Sequence, residues 1–65
     1  MTEVLNFSVV KDDKQNYRIA KDGSKYYLQR QTKRNGFISY VNESDNFWDS
    51  VDAVVASLHF QNLFK

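Results

Sequence analysis

The chain contains two glycines and no proline, and each glycine follows a residue that favours a tight reversal, in Asp22-Gly23 and Asn35-Gly36. Asp-Gly and Asn-Gly are preferred centres of two-residue type I′ hairpin turns, because both central residues of that turn need positive φ. Each dipeptide lies between stretches in which apolar and polar residues alternate, as they do in a half-buried strand. Antiparallel hairpins are therefore the first expectation.

A two-residue loop at Asp22-Gly23 sets Ile19 opposite Tyr26 and Tyr17 opposite Leu28. Directly opposed residues share a face, so these four side chains form one apolar patch. The other face then pairs Arg18 with Tyr27, Ala20 with Lys25 and Asn16 with Gln29. At the second reversal, a two-residue loop opposes Arg30 to Val41. A four-residue loop, Lys33-Arg34-Asn35-Gly36, opposes Leu28 to Val41 and Thr32 to Phe37. The four-residue loop is preferred, because it matches core to core. Either choice turns Phe37, Ser39 and Val41 inward and Ile38 and Tyr40 outward.

The N-terminal run from Val4 to Val10 alternates, with Leu5, Phe7 and Val9 on one side, and a polar turn through Lys11-Asp12-Asp13-Lys14 follows. From Val51 the period changes. Val51, Val54, Val55 and Leu58 fall at helical spacing. Ser50 suits the N-cap, where its hydroxyl accepts from a free backbone N–H. Asp49 and Asp52 suit the positive end of the helix dipole. The expected fold is α+β: an antiparallel meander of three to four strands (about 4–10, 16–21, 25–33 and 37–42) packed by one C-terminal helix (about 49–63). Residues 1–65 read as a single small domain.

A chain of 65 residues has room for one core. With no cysteine, neither a disulfide nor a thiolate metal site can staple it. Its ten aromatic residues must supply much of the packing. No apolar run approaches the roughly 18 residues of a membrane span, and no membrane partner is expected. Met1-Thr2-Glu3-Val4-Leu5 shows no basic leader before a hydrophobic stretch. A cytoplasmic location is the expectation.

Charge is segregated along the chain. Residues 1–13 carry a net charge of −2, residues 14–42 carry +6 and residues 43–64 carry −4. Such segregation suits an anionic partner. Catalytic chemistry is harder to find. His59 is the single histidine, with no cysteine to join it in a metal site. Asp12 and Asp13 are adjacent and read as turn residues rather than two carboxylates facing one cleft. No phosphate-cradling glycine loop or nucleophile elbow occurs. The chain reads as non-enzymatic, with no cofactor and no metal.

The remaining constellation is the outer sheet face. Arg18, Lys25, Tyr27, Gln29, Gln31, Lys33, Ile38 and Tyr40 alternate onto it, with Lys21 and Arg34 near the turns. Aromatic rings interleaved with cations suit nucleic acid, since bases stack on rings while cations follow phosphates. The candidate nucleic-acid-binding residues are Arg18, Lys21, Lys25, Tyr27, Gln29, Lys33, Arg34 and Tyr40. DNA is the preferred partner.

The layout resembles the small strand-strand-strand-strand-helix modules of the positive-cofactor transcriptional coactivators. The similarity lies in Asn16-Tyr17-Arg18-Ile19-Ala20-Lys21-Asp22-Gly23, the strand Lys25–Lys33, Asn35-Gly36-Phe37-Ile38-Ser39, and Trp48 ahead of the helix. It implies a homodimer that binds single-stranded DNA. The stretch Ser24–Leu58 is also similar to the three-strand-plus-helix arm-binding domain of tyrosine integrases, which implies contact of the sheet with duplex DNA.

A competing reading is a small protein-binding inhibitor or adaptor, of the kind phages and mobile elements encode. It rests on Glu43-Ser44-Asp45-Asn46-Phe47-Trp48-Asp49, which mixes carboxylates with two large aromatics, and on the helix. Aromatic anchors are frequent interface hot spots. In one continuous helix, Ala53, Ala56, Phe60, Leu63 and Phe64 lie beyond the stripe that covers the sheet, and such a surplus suits a homodimer. The candidate protein-interface residues are Trp48, Phe60, Leu63 and Phe64.

Overall fold

Alternation becomes pairing along four strands: β1 (Thr2–Val10), β2 (Lys14–Asp22), β3 (Lys25–Arg34) and β4 (Phe37–Asn42). They form an antiparallel meander in the order β1-β2-β3-β4. Two short helices follow, α1 (Val51–Ala56) and α2 (Leu58–Asn62). This computed structural model describes residues 1–10 and 13–65. Lys11 and Asp12 of the expected first turn lie outside the described residues, and so does half of the Asp12-Asp13 pair. The α+β class and the meander agree with the sequence reading, while both hairpin registers and the helix differ.

At the first hairpin Asp22 pairs with Lys25, so the central residues are Gly23 and Ser24, not Asp22 and Gly23. Gly23 has φ 64°, and Ser24 is not among the residues with positive φ. Positive φ at the first central residue alone is the pattern of a type II′ turn, not type I′. The register therefore slides by two residues. Ile19 opposes Leu28, Lys21 opposes Tyr26 and Tyr17 opposes Arg30. Two is the side-chain period of a strand, so Tyr17, Ile19, Tyr26 and Leu28 still share one face.

The second hairpin closes through Asn35-Gly36, with Arg34 opposite Phe37 and Arg30 opposite Val41. Asn35 has φ 53° and Gly36 φ 83°, the two positive values of type I′. The expected four-residue loop does not form. Type I′ geometry matches the twist of the flanking strands, and asparagine tolerates the left-handed region. Phe37, Ser39 and Val41 do lie on the helix-side face. They are exposed nonetheless, Phe37 to 78%, because α1 packs across β3 and leaves the hairpin end uncovered.

After β4 the chain continues along the same edge of β3, beside Tyr26–Leu28, which β4 itself does not reach. Glu43 N–H donates to Leu28 O at 2.8 Å, and Tyr26 and Trp48 exchange backbone bonds of 2.8 and 2.9 Å. This bridge sets Trp48 beside Tyr26 on the helix side of the sheet.

The single expected helix is broken at Ser57, whose φ and ψ are −71° and 154°. Ser50 caps α1 as anticipated, accepting from Ala53 N–H at 3.1 Å. Ser57 ends α1 and starts α2. Its hydroxyl donates to Val54 O at 2.6 Å and accepts from Phe60 N–H at 3.2 Å. The break turns Phe60 and Leu63 onto the core of Ile19, Leu28 and Val54, together with Phe7, Tyr26, Trp48 and Val51. Leu58, expected to cover the sheet, is instead 75% exposed. Burying a large apolar side chain contributes up to about 1.5–3 kcal/mol. Two such residues outweigh the backbone bonds lost at one break, whose free groups Ser57 partly satisfies. Among the described residues, no helix is long and apolar enough to cross a membrane.

Candidate nucleic-acid interface

The sheet face away from the helices is built by pairing. Ser8, Asn16 and Asn6, Arg18 oppose one another across β1 and β2. Arg18 meets Gln29, and Ala20 meets Tyr27, across β2 and β3. Gln29, Gln31 and Lys33 meet Asn42, Tyr40 and Ile38 across β3 and β4. Every strand contributes short polar side chains, and neighbouring amides are close enough to bond.

Two hydrogen-bonded rows result. In the first, the Ser8 hydroxyl donates to Asn16 Oδ1 at 2.7 Å, and Asn16 Nδ2 to Gln31 Oε1 at 3.0 Å. Gln31 Nε2 then donates to Tyr40 Oη at 3.2 Å, completing a chain across all four strands. In the second, Arg18 Nε donates to Gln29 Oε1 at 2.7 Å, and Gln29 Nε2 donates to Asn42 Oδ1 at 2.9 Å. The Arg18 guanidinium lies 3.9 Å above the Tyr40 ring centre and 3.9 Å from Glu3 Oε1. Asn6 Nδ2 holds the other Glu3 oxygen at 2.7 Å. Gln29 is buried, and its amide is taken up within the network. Arg18, Gln29 and Tyr40 thus make a fixed polar floor. A shallow depression of about 280 Å³ opens over Asn6, Ser8, Asn16, Gln31 and Tyr40.

Beside this floor stands an aromatic pair. The Tyr27 and Phe47 ring centres are 6.4 Å apart and tilted by 53°. Lys25 Nζ lies 4.7 Å from the Phe47 ring centre. Phe47 is 50% exposed and Lys25 is exposed. Phe47 is the residue that sequence reasoning did not assign to this face. The bridge of Trp48 to Tyr26 turns Trp48 inward and its neighbour outward, and no local pattern in the loop announces that bridge.

The structure does not gather all eight candidates. Lys25, Tyr27 and Lys33 join the outer face, with Arg18, Gln29 and Tyr40 in its floor. Lys21 and Arg34 oppose Tyr26 and Phe37, which places both on the helix side. Lys21 Nζ sits 5.6 Å from the Tyr26 ring centre.

Of the candidate protein-interface residues, Trp48, Phe60 and Leu63 pack against the domain's own core. Phe64 is 53% exposed and leans on Phe60 and Phe7, with ring centres 5.1 and 6.1 Å away. In the acidic segment Glu43 and Asn46 are engaged, while Asp45 and Asp49 are exposed. Arg30 Nε approaches Glu43 at 3.9 Å, and Asn46 Nδ2 lies 2.8 Å from His59 Nε2. The Trp48 ring meets His59 edge-on at 5.8 Å.

Among the described residues, the Tyr17 phenol has a shifted proton affinity. Burial pushes its phenol above the ordinary value of 10.0, Glu43 adds to the shift and Arg30 opposes it. Among the described residues, no three His, Cys, Asp or Glu side chains come together as a metal site. Comparison with protein-family models, with curated proteins and with solved structures finds no match for this chain.

Proposed function

We propose that the chain is a non-enzymatic module that binds single-stranded DNA on the outer face of its sheet. The observation that carries this reading is the Tyr27–Phe47 pair under Lys25. A half-exposed ring beside a cation offers a base a stacking surface and its phosphate a counter-charge in one place. Base–aromatic stacking is worth about 1–3 kcal/mol per base. Lys33 stands at the other end of β3 on the same face, beyond the uncharged Tyr27, Gln29 and Gln31, and Lys14 lies at the start of β2 on that face. The Arg18 guanidinium, fixed over Tyr40 and paired with Glu3 at 3.9 Å, belongs to the floor and is not one of the free cations. Segment 14–42, with its net charge of +6, supplies all of these cations.

The protein-inhibitor reading has less support, because Glu43 is engaged by Arg30 and Trp48 packs into the core. The test is fluorescence anisotropy with a short oligothymidine at about 50 and 200 mM salt. Phe47→Ala is expected to weaken binding by about 1–3 kcal/mol. Lys25→Ala should lower the salt slope by about 0.7. A wild-type protein that binds no oligonucleotide at about 50 mM salt overturns the proposal. So does a Phe47→Ala variant that binds like the parent.

A further inference from the structure

The end of the β3–β4 hairpin is the part of the sheet that the helices do not reach. Its two faces carry different residues of the same kind. On the outer face Lys33 opposes Ile38, and on the helix-side face Arg34 opposes Phe37. Each pair joins one cation to one apolar side chain. All four are exposed, Phe37 to 78% and Ile38 to 60%. An open groove of about 480 Å³ runs beside Arg34, over Thr32, Ser39 and Val41. From Lys25 to Asn42 the chain has four cations and no carboxylate.

Among the described residues Phe37 is the most exposed large apolar side chain. A two-faced ribbon with a cation and an apolar group on each side fits one kind of polyanion. We propose that the hairpin end sits as a blade in the fork of a DNA junction, with one strand passing over each face. This rests on the outer-face reading above, which places the first strand on Lys25, Tyr27 and Phe47. The second strand takes the opposite face, where Arg34 meets phosphate and Phe37 packs on the last base pair of the duplex. Apolar side chains inserted at a base step unstack it, and the cost is smallest where the duplex already ends. The occupant is therefore a fork with two unpaired arms, neither a plain single strand nor a blunt duplex.

Arg34 and Phe37 give a clean test, because neither lies on the outer face. Fluorescence anisotropy would compare three DNA probes: a fork, one of its arms as a free single strand, and a blunt duplex of the same length. Wild type is expected to bind the fork at least about tenfold more tightly than either other probe. Arg34→Ala/Phe37→Ser should abolish that advantage and leave single-strand affinity within about twofold. Both residues are exposed, so circular dichroism should show the variant folded.

A fork bound no more tightly than the single strand, or a duplex bound as tightly as the fork, overturns the blade while leaving the outer-face reading intact. A double variant that lowers fork and single-strand affinity in equal proportion also overturns it. Failure of wild type to bind any of the three removes the outer-face reading and the blade with it.

Discussion

Tyr17 sits where the core meets the polar end of the sheet. Its ring is buried and stacks on Phe7 at 5.6 Å with an interplanar angle of 14°. Burial is the first cause that holds its phenol above 10.0. The folded state therefore keeps this proton at a pH where the unfolded chain has begun to release it. Stability from this group is complete below the unfolded value and declines as pH rises through and beyond about 10. Tyr17→Phe keeps the stacked ring and removes the titrating group. Urea denaturation from about pH 8 to about pH 11 should show a shallower alkaline loss for the variant. Equal slopes for the two proteins would assign the loss to other groups. Tyr17 was legible in the sequence, since alternation alone put it on the apolar face. Phe47 was not, because its direction depends on the non-local bridge between Trp48 and Tyr26.

At the scale of elements, face assignment proved more legible than register. The first hairpin slid by two residues, and the same four apolar side chains still met on one face. Turn chemistry decided against core matching at the second hairpin, where Asn35 and Gly36 both accept positive φ. The helix break was less accessible. Ser57 lies inside an uninterrupted helical pattern, and no Glu or Gln follows three residues later to signal a capping box. What breaks the helix is tertiary: Phe60 and Leu63 reach the core only if the axis changes direction. Gln61 Nε2 donates to Val55 O at 2.6 Å, which satisfies one carbonyl freed by the break. Ser57→Ala removes the cap of α2 and should cost about 0.5–2 kcal/mol. For a domain of this size, each kcal/mol corresponds to a fall of roughly 4–8 °C in melting temperature. A melt unchanged within about 1 °C would show that Ser57 does not hold the break.

The whole molecule rests on few fully buried side chains. Ile19, Leu28 and Val54 are the largest of them, and partly buried aromatics make up the rest of the core. Leu28 is central to it, paired with Ile19 across β2 and β3 while its carbonyl accepts from Glu43 N–H. Leu→Ala in a core costs about 2–5 kcal/mol, the larger values where the site cannot collapse. A core in so short a chain supplies only about 3–5 kcal/mol of net stability. Leu28→Ala should therefore leave the domain largely unfolded at 25 °C, with no cooperative thermal transition by circular dichroism. Val55→Ala, at the exposed residue that follows the buried Val54, should melt close to the parent. The proposed DNA face lies on the other side of the sheet from Leu28, so the mutation removes packing and no ligand contact. A ligand that binds only the folded state stabilises it by about 2.7 kcal/mol at a hundred times its Kd. Saturating single-stranded DNA should then restore much of the helical and strand signal to Leu28→Ala. An unliganded Leu28→Ala that melts cooperatively within a few degrees of wild type would show that the fold is held elsewhere. A variant that stays unfolded at saturating DNA would show instead that the loss at Leu28 exceeds what binding on the opposite face can return.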